Sequence, residues 1–449
     1  MADYGEVMEE NENKKQGKFG KGFVAGVFTT LIILLLIFGL GTAMIAFSGM
    51  SLMDDKEKAE EEKTDVSDIN FEEIEPKLSY IEDLVNEYFL FDEDVDQQEL
   101  EDMIYRGYLA GLDDPYTVYY NPEEYKEMNE EIEGEYCGIG VMVSQDMRTK
   151  IITVLQVFSD SPAAEAGMRP GDLLYKVNGE EIADEDLDLL VKKKIRGEEG
   201  TTVDIEVYRE SIDDYVDMTI ERRMVQNETV LYDMLEGHIG YISVSSFDVV
   251  TEDQFIKAVD ILESKNMKGL IIDLRNNGGG MLQAAESMID YILPKDKLIV
   301  SFKSKTQPDE EIYTKDDHEV TVPVVLLVNE GSASASEVMT GALKDNDAAV
   351  VVGEKTFGKG IAQGFFDLAD GSAVKMTTAY YYVPSGECIH EIGIEPDVKV
   401  DLPKELKYEI TIPKEEDTQL QAAIEVLKNG TEAAKEKYEV TDEEADDAA

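Results

Sequence analysis

The sequence predicts a mixed α/β chain, and three observations carry that reading. Apolar runs of strand length stand at Leu270–Leu274, Val322–Val328 and Ala348–Val352, with helical stretches between them. Near-continuous Val/Ile/Leu strands separated by helices mark a largely parallel sheet covered on both faces. Ahead of it, residues 134–222 change texture to short strands punctuated by turn signals, a small β-rich module. Ahead of both, Phe23 to Phe47 carries no charge.

Taken in order, that uncharged stretch is long enough to span a bilayer core, which needs roughly 20 apolar residues. Lys14, Lys15, Lys18 and Lys21 precede it, and Asp54, Asp55 and Glu57 follow. The positive-inside bias then predicts a cytoplasmic segment 1–21, a single transmembrane helix over 22–48 and export of the remainder. The alternative is a signal peptide cut after Ala46 or Ser48. Residues 49–75 are acidic and poor in apolar side chains, as expected of a stalk. Over 76–133 apolar residues recur at helical spacing, first Leu78, Ile81, Leu84, Val85, Tyr88 and Phe89, then Leu100, Met103, Ile104 and Tyr108. This predicts a pair of helices whose apolar faces meet the next domain or a second copy of the chain.

Within the β-rich module, Gly138-Ile-Gly-Val141 opens a strand and Ile151–Leu155 supplies another. Ser161 caps a helix with Pro162 at its first position and Gly167 at its end. Pro170-Gly171-Asp172 is a turn, and Asn178-Gly179 is a hairpin turn after Leu173–Val177. A helix over 186–194 and a strand over 203–209 complete the module. From 223 to 404 the α/β pattern runs through a helix carrying Leu282, Ala285, Ile289 and Ile292 on one face. Residues 405–449 offer one amphipathic helix (Leu420, Ile424, Leu427) and an acidic tail.

Composition excludes several functions. The 449-residue chain has a formal charge of −57, whereas nucleic acid is bound by clustered Lys and Arg. Two cysteines, Cys137 and Cys388, form no disulfide framework, and three histidines leave little material for a metal cluster. No cofactor is called for.

The chemistry concentrates in three loops. Each follows an apolar run: the glycines of Arg275-Asn-Asn-Gly-Gly-Gly280, then Gly331-Ser-Ala-Ser-Ala-Ser-Glu337, then Gly353-Glu-Lys-Thr-Phe-Gly-Lys-Gly360. Ligands of open α/β sheets sit beyond the carboxyl ends of the strands, so these loops converge on one place. Ser334, at a helix N-terminus, can present its hydroxyl to a carbonyl. The Ala335 amide, with one from Gly279 or Gly280, can donate to the developing oxyanion. Lys359, if buried, loses its proton more readily and can take the serine's. Gln363 can orient the lysine or a water. Taken singly, Ser334 to Glu337 also fits a helix capping box, and Gly353-x-x-x-x-Gly-Lys359 fits a phosphate loop up to Gly360, where a Ser or Thr is required. His390 beside Glu391 reads as a structural histidine near a strand.

These motifs, in this order, resemble the C-terminal processing peptidases, or tail-specific proteases, over about residues 76–428. Gly111-Leu-Asp-Asp-Pro-Tyr-Thr117, Asp273-Leu-Arg-Asn-Asn-Gly-Gly-Gly280, the serine and lysine loops and Gly393-Ile-Glu-Pro-Asp-Val398 all match. The resemblance implies a crotonase-like protease core with an inserted PDZ domain. It places the nucleophile on Ser334 rather than Ser332 or Ser336, the base on Lys359 rather than Lys355, and an accessory role on Gln363. Gly138, Ile139, Gly140 and Val141 match the PDZ loop whose amides capture a peptide's C-terminal carboxylate while the peptide adds as a strand. Arg196, in Ile195-Arg-Gly197 at the PDZ margin, is similar to an arginine found there in relatives and is a candidate link by which peptide binding aligns Lys359 and Gln363. The implied partners are proteins or peptides with exposed C-termini. A second reading with the same motifs is an inactive PDZ scaffold.

Overall fold

The structure, a computed structural model, describes residues 69–438 apart from 92–94, 147, 184, 404–405 and 408–411. The expected membrane span at 22–48, most of the stalk and the last residues of the tail lie outside the described residues. Among those described, no helix is long and apolar enough to cross a membrane.

Two helices come first, α1 (Phe71–Tyr88) and α2 (Gln97–Ala110), capped by the side chains of Asn70 and Asp96. The first begins inside the expected stalk and carries Pro76 in its second turn. Next come β1 (Val118–Tyr120) and α3 (Pro122–Glu133), whose Asn121–Glu124 capping box and Gly134 in the left-handed region fix its two ends. So 76–133 holds a strand and a third helix beyond the expected pair.

The chain then enters the β-rich module through β2 (Glu135–Gly138). The module itself is built from β3 (Val141–Gln145), β4 (Ile152–Val157), a short helix α4 (Pro162–Glu165), β5 (Leu173–Val177), β6 (Glu180–Glu181), α5 (Leu187–Leu190), β7 (Thr202–Arg209) and β8 (Asp214–Glu221). Its sheet order is β3-β4-β5-β7-β8, around a core including Ile152, Val154, Val177, Val203, Ile205 and Ile220. The Pro170-Gly-Asp turn has a structural purpose. Asp172 takes Arg209 Nε and Nη2 in a buried fork, both at 2.7 Å. The expected helix over 186–194 changes pitch midway: after α5, Val191–Ile195 is a π turn, closed by Arg196 N–H to Val191 C=O. Arg222 holds that turn by donating to the carbonyls of Lys194 and Ile195. The chain leaves through β9 (Arg223–Gln226), which pairs antiparallel with β2, so entry and exit form a two-stranded ribbon.

The remainder is the α/β core. It runs β10 (Val230–Leu235), β11 (Ile239–Val244), α6 (Thr251–Ser264), β12 (Gly269–Asp273), α7 (Leu282–Ile292), β13 (Leu298–Ser304), β14 (Glu310–Tyr313), β15 (Val324–Val328), α8 (Ala335–Asp345), β16 (Ala349–Gly353), β17 (Ile361–Asp367), β18 (Ala373–Tyr382), β19 (Val398–Lys399), α9 (Thr418–Asn429) and α10 (Thr431–Tyr438). The main sheet has the order β10-β11-β12-β15-β16-β19 and is parallel from β11 onward. Helices α6, α7 and α8 cover one face. Helix α9, through Leu420, Ala422, Ala423 and Val426, covers the other against Ile271, Val325 and Leu327. It is therefore an integral layer of the core rather than part of a C-terminal appendage. A second, antiparallel sheet (β1-β18-β13-β14, with β17 on β18) packs beside the first, and β1 ties the N-terminal region into it through Val118 opposite Lys375.

Candidate active site

β12, β15 and β16 are neighbours in the parallel sheet, so the glycine, serine and lysine loops leave it side by side. The glycine loop touches the serine loop directly. A Cβ on Gly279 would lie 2.8 Å from Ser334 Cβ and 2.9 Å from Ala335 N, and φ there is +102°. Only glycine meets both demands.

Ser334 has φ 55° and ψ −115°, a backbone state that side chains rarely adopt. Such a residue costs of the order of 1–3 kcal/mol and persists only where its surroundings impose it. The effect is a sharp strand-to-helix elbow at the start of α8. The neighbouring serines hold the elbow: Ser332 Oγ donates to Leu274 C=O at 2.7 Å, and Ser336 Oγ to Asn277 C=O at 2.8 Å. Both are fully buried, whereas Ser334 is partly open.

The serine and lysine loops are joined by a residue that the sequence offered only as a helix cap. Glu337 is fully buried, and its carboxylate accepts from Ser334 N–H (3.0 Å), Thr356 Oγ1 (2.6 Å), Gly358 N–H (2.7 Å) and Lys359 N–H (2.8 Å). Burial pushes its pKa up, and these four donors oppose the push. Tyr381 makes a second bridge, its hydroxyl donating to the carbonyls of Ser334 and Lys359. No sequence signal singles out Tyr381. The capping-box spacing did mark Glu337, but without its second partner loop. The same bonds overturn the phosphate-loop pattern: the Gly358 and Lys359 amides that would cradle phosphate already serve a carboxylate.

Lys359 is 2% exposed, and its pKa is lowered to about 7, first by burial and then by the neighbouring Lys375; Glu337 and Asp114 oppose the shift. Its Nζ stands 4.5 Å from the centre of the Tyr116 ring, and no hydrogen bond joins it to Ser334 Oγ. Lys355 is on the surface, paired with Glu395. Gln363, buried on β17, turns its amide to Thr377 Oγ1 at 3.4 Å. Thr377 N–H in turn donates to Thr117 Oγ1 (3.2 Å), so the Asp114-Pro-Tyr-Thr117 loop forms the wall behind lysine and glutamine. Lys375 is a second buried lysine, its pKa lowered to about 8 by burial, donating to Tyr120 Oη at 3.1 Å. Sequence reasoning missed it, because it sits unmarked in the middle of a strand.

Of the three amides expected to face an oxyanion, Gly279 N–H is engaged by Asn277 Oδ1 at 2.9 Å. Those of Gly280 and Ala335 have no such partner, Phe247 pairing instead with the carbonyl of Gly279 and the amide of Met281. Arg275, in the same loop, is forked between Asp273 and Asp417, which pins the start of α9 beneath the site. His390 stacks edge-on against Tyr380, away from any hydrogen bond to Ser334. Elsewhere Asp260, Glu263 and His318 bring ligand-type atoms within 4.8 Å of one another, an exposed cluster that the sequence did not announce.

Gly138, Ile139 and Val141 line a cleft of about 540 Å³ that continues past Arg196 to Gly278, Gly279 and Gly280, while Gly140 packs against Ser161. The module's groove and the glycine loop thus share one opening.

Comparison with known proteins agrees with this architecture. Residues 238–400 match peptidase family S41 and residues 153–209 match the PDZ domain. Carboxy-terminal processing protease CtpB of Bacillus subtilis is 33% identical over 82% of this chain and 76% of its own. The chain belongs to the carboxy-terminal processing proteases. Within that family, CtpA of Bacillus subtilis is 37% identical over 69% of this chain, a match spanning 65% of the relative's own length. The solved structure of a putative S41 protease from Bacteroides fragilis covers 72% of this chain and 89% of that one, with TM-score 0.51 at 16% identity, a likeness of fold alone. This member of the family is accordingly a serine protease of mixed α/β fold carrying a PDZ domain.

Proposed function

We propose that the chain is a membrane-tethered, extracytoplasmic endopeptidase that selects proteins by their exposed C-termini and cleaves them with Ser334 and Lys359. The observation that carries the reading is the burial of Lys359 in the loop after β16, the neighbour of the strand that leads into the serine elbow, with its pKa lowered to about 7. An ordinary lysine, at about 10.4, would be almost wholly protonated at neutral pH and useless as a base.

In the reaction the Lys359 amine takes the Ser334 proton as Oγ bonds to the scissile carbonyl carbon. The Ala335 and Gly280 amides stabilise the oxyanion, and Gly279 supports the geometry from its own bond to Asn277. Lys359 then gives the proton to the leaving nitrogen as the C–N bond breaks, forming an acyl-enzyme. Water, deprotonated by the same amine, attacks the ester carbon, and Lys359 returns that proton to Ser334 Oγ as the C–O bond breaks and the acyl group leaves as an acid. For the first step Lys359 must leave the Tyr116 ring for Ser334, and Gln363 orients it there.

The substrate terminus adds as a strand beside β3, its carboxylate on the 138–141 loop. Arg196 couples that event to the lysine loop, being set by the π turn at the groove's edge. Arg196→Ala is expected to slow cleavage of a full-length protein substrate, and unchanged cleavage removes this role. A second copy of the chain would cover α1 and α2, whose Leu78, Leu84, Leu100, Met103 and Ile104 are exposed. Sedimentation of the detergent-solubilised protein tests this; a monomer at micromolar concentration refutes it.

The test of the whole reading is cleavage of unfolded casein by wild type, Ser334→Ala and Lys359→Ala, in the full-length protein. Each substitution is expected to reduce cleavage by about 10⁴-fold or more. Cleavage surviving both defeats the serine–lysine assignment. Peptide binding without any wild-type cleavage favours the inactive scaffold.

A further inference from the structure

The carboxylate loop of the PDZ groove already has an occupant from the chain itself. Tyr136, on β2 two residues before the loop, does not point away along the ribbon. Its ring folds over Gly138, so closely that a Cβ on that glycine would lie 2.7 Å from Tyr136 Cε2. Burial raises the pKa of its hydroxyl, and the Arg196 charge and the Val141 N–H act against that rise. The carbonyls on the other side of the same loop are taken by the protein, Ile139 C=O by Ala163 N–H at 2.9 Å and Gly140 C=O by Phe158 N–H at 3.0 Å. The loop's amides are thereby directed into the groove, toward the tyrosine.

Arg196 lies against the other face of this arrangement. Its guanidinium stands 4.4 Å from the centre of the Tyr136 ring, and its Nε is buried with no hydrogen-bond acceptor. A buried guanidinium donor left unmatched is costly, and a stacked ring replaces only part of what an anion supplies. Glu131, another residue of the cleft, is held up in pKa by its burial, which Arg196 and Lys192 oppose. The groove therefore contains a neutral hydroxyl where an anion is expected, beside an arginine lacking an acceptor. Both conditions are met at once by a carboxylate that replaces the tyrosine.

We propose that Tyr136 is an intramolecular plug of the carboxylate loop, which an incoming C-terminal carboxylate must displace to bind. The inference rests on the 138–141 loop being the carboxylate site and adds to it a competitor that sets the affinity threshold. Displacement moves the aromatic ring out of the cleft shared with Gly278–Gly280 and frees the guanidinium. It follows that weakly binding termini leave the plug in place, so the plug sharpens discrimination among C-termini rather than contributing to the chemistry.

The experiment uses full-length protein in detergent carrying Ser334→Ala to prevent turnover, with Tyr136 intact, Tyr136→Phe or Tyr136→Ala. The probe is a fluorescein-labelled synthetic peptide ending in valine, as the free carboxylate and as the C-terminal amide, followed by anisotropy. The expected result is an affinity for the free carboxylate about tenfold higher in Tyr136→Ala than with Tyr136 intact. Tyr136→Phe should fall between them, and amide binding should be unchanged. Because Tyr136→Phe keeps the ring and removes only the hydroxyl, it reports even if the alanine variant loses its fold. Equal affinity in all three proteins, or weaker binding in both variants, overturns the plug while leaving the carboxylate site standing, provided free acid still outcompetes amide. If none of the three distinguishes acid from amide, the carboxylate site itself fails and the plug falls with it.

Discussion

The catalytic loops and the PDZ groove are both made of backbone amides presented at strand ends, yet they are held in opposite ways. In the core, three loops are fastened to one another by buried polar groups. Glu337 accepts four hydrogen bonds across the serine and lysine loops, Tyr381 spans the same two loops, and Arg275 ties the glycine loop to α9. The PDZ module instead has its own closed core and joins the rest through the β2–β9 ribbon and a few surface ion pairs such as Lys192–Glu127. On the proposed mechanism the backbone of the chemistry is thus preassembled, and what remains to be set is a side chain: Lys359, lying over Tyr116 without a bond to Ser334. On that mechanism, rigidity is invested where transition-state charge would develop, and latitude is left where a partner would be sampled.

Substitutions can break that contrast at either end. Glu337→Ala should have the largest effect, removing an acceptor from three buried backbone amides and a hydroxyl. We expect a loss of about 3 kcal/mol or more, read as a lower denaturant midpoint of the core, together with near-complete loss of casein cleavage. If cleavage persists near the wild-type rate, the two loops are not held by this carboxylate. Asp172→Ala leaves Arg209 buried and unpaired, and should destabilise the PDZ module by about 3 kcal/mol. Because the core is fastened separately, tail-peptide binding should be lost while the core's unfolding midpoint stays in place. A common shift of both would show that the two regions are one cooperative unit. Gln363→Ala should be the mildest, slowing cleavage by about tenfold with no change in peptide affinity. An unaltered rate would remove Gln363 from the site.

Much of this was legible in the sequence because it is local. The three apolar runs at 270–274, 322–328 and 348–352 became β12, β15 and β16, and the Ser161-Pro162 and Asn178-Gly179 signals fell where capping and turn chemistry put them. What was hidden depends on partners distant in the chain. Nothing around Val118 announces that it pairs with Lys375, and an isolated lysine in a strand gives no sign of burial. Glu337 has the right spacing for a helix cap, and only the fold reveals that the lysine loop uses the same carboxylate. Helix α9 has the periodicity of any amphipathic helix, so its place on the sheet became visible only through Arg275 and Asp417. The π turn at 191–195 is invisible for another reason: its residues suit an α-helix equally well, and Arg222 decides the pitch from elsewhere.

The central claim is that Lys359 works as a neutral amine, and the pH dependence of wild-type casein cleavage tests it most directly. With the pKa lowered to about 7, the ammonium form prevails below that value and cannot accept the serine proton. Cleavage should therefore climb about tenfold per pH unit below 7 and level off above it. A rate independent of pH between about 6 and 8.5, or one still rising toward the ordinary lysine value of about 10.4, would contradict the account.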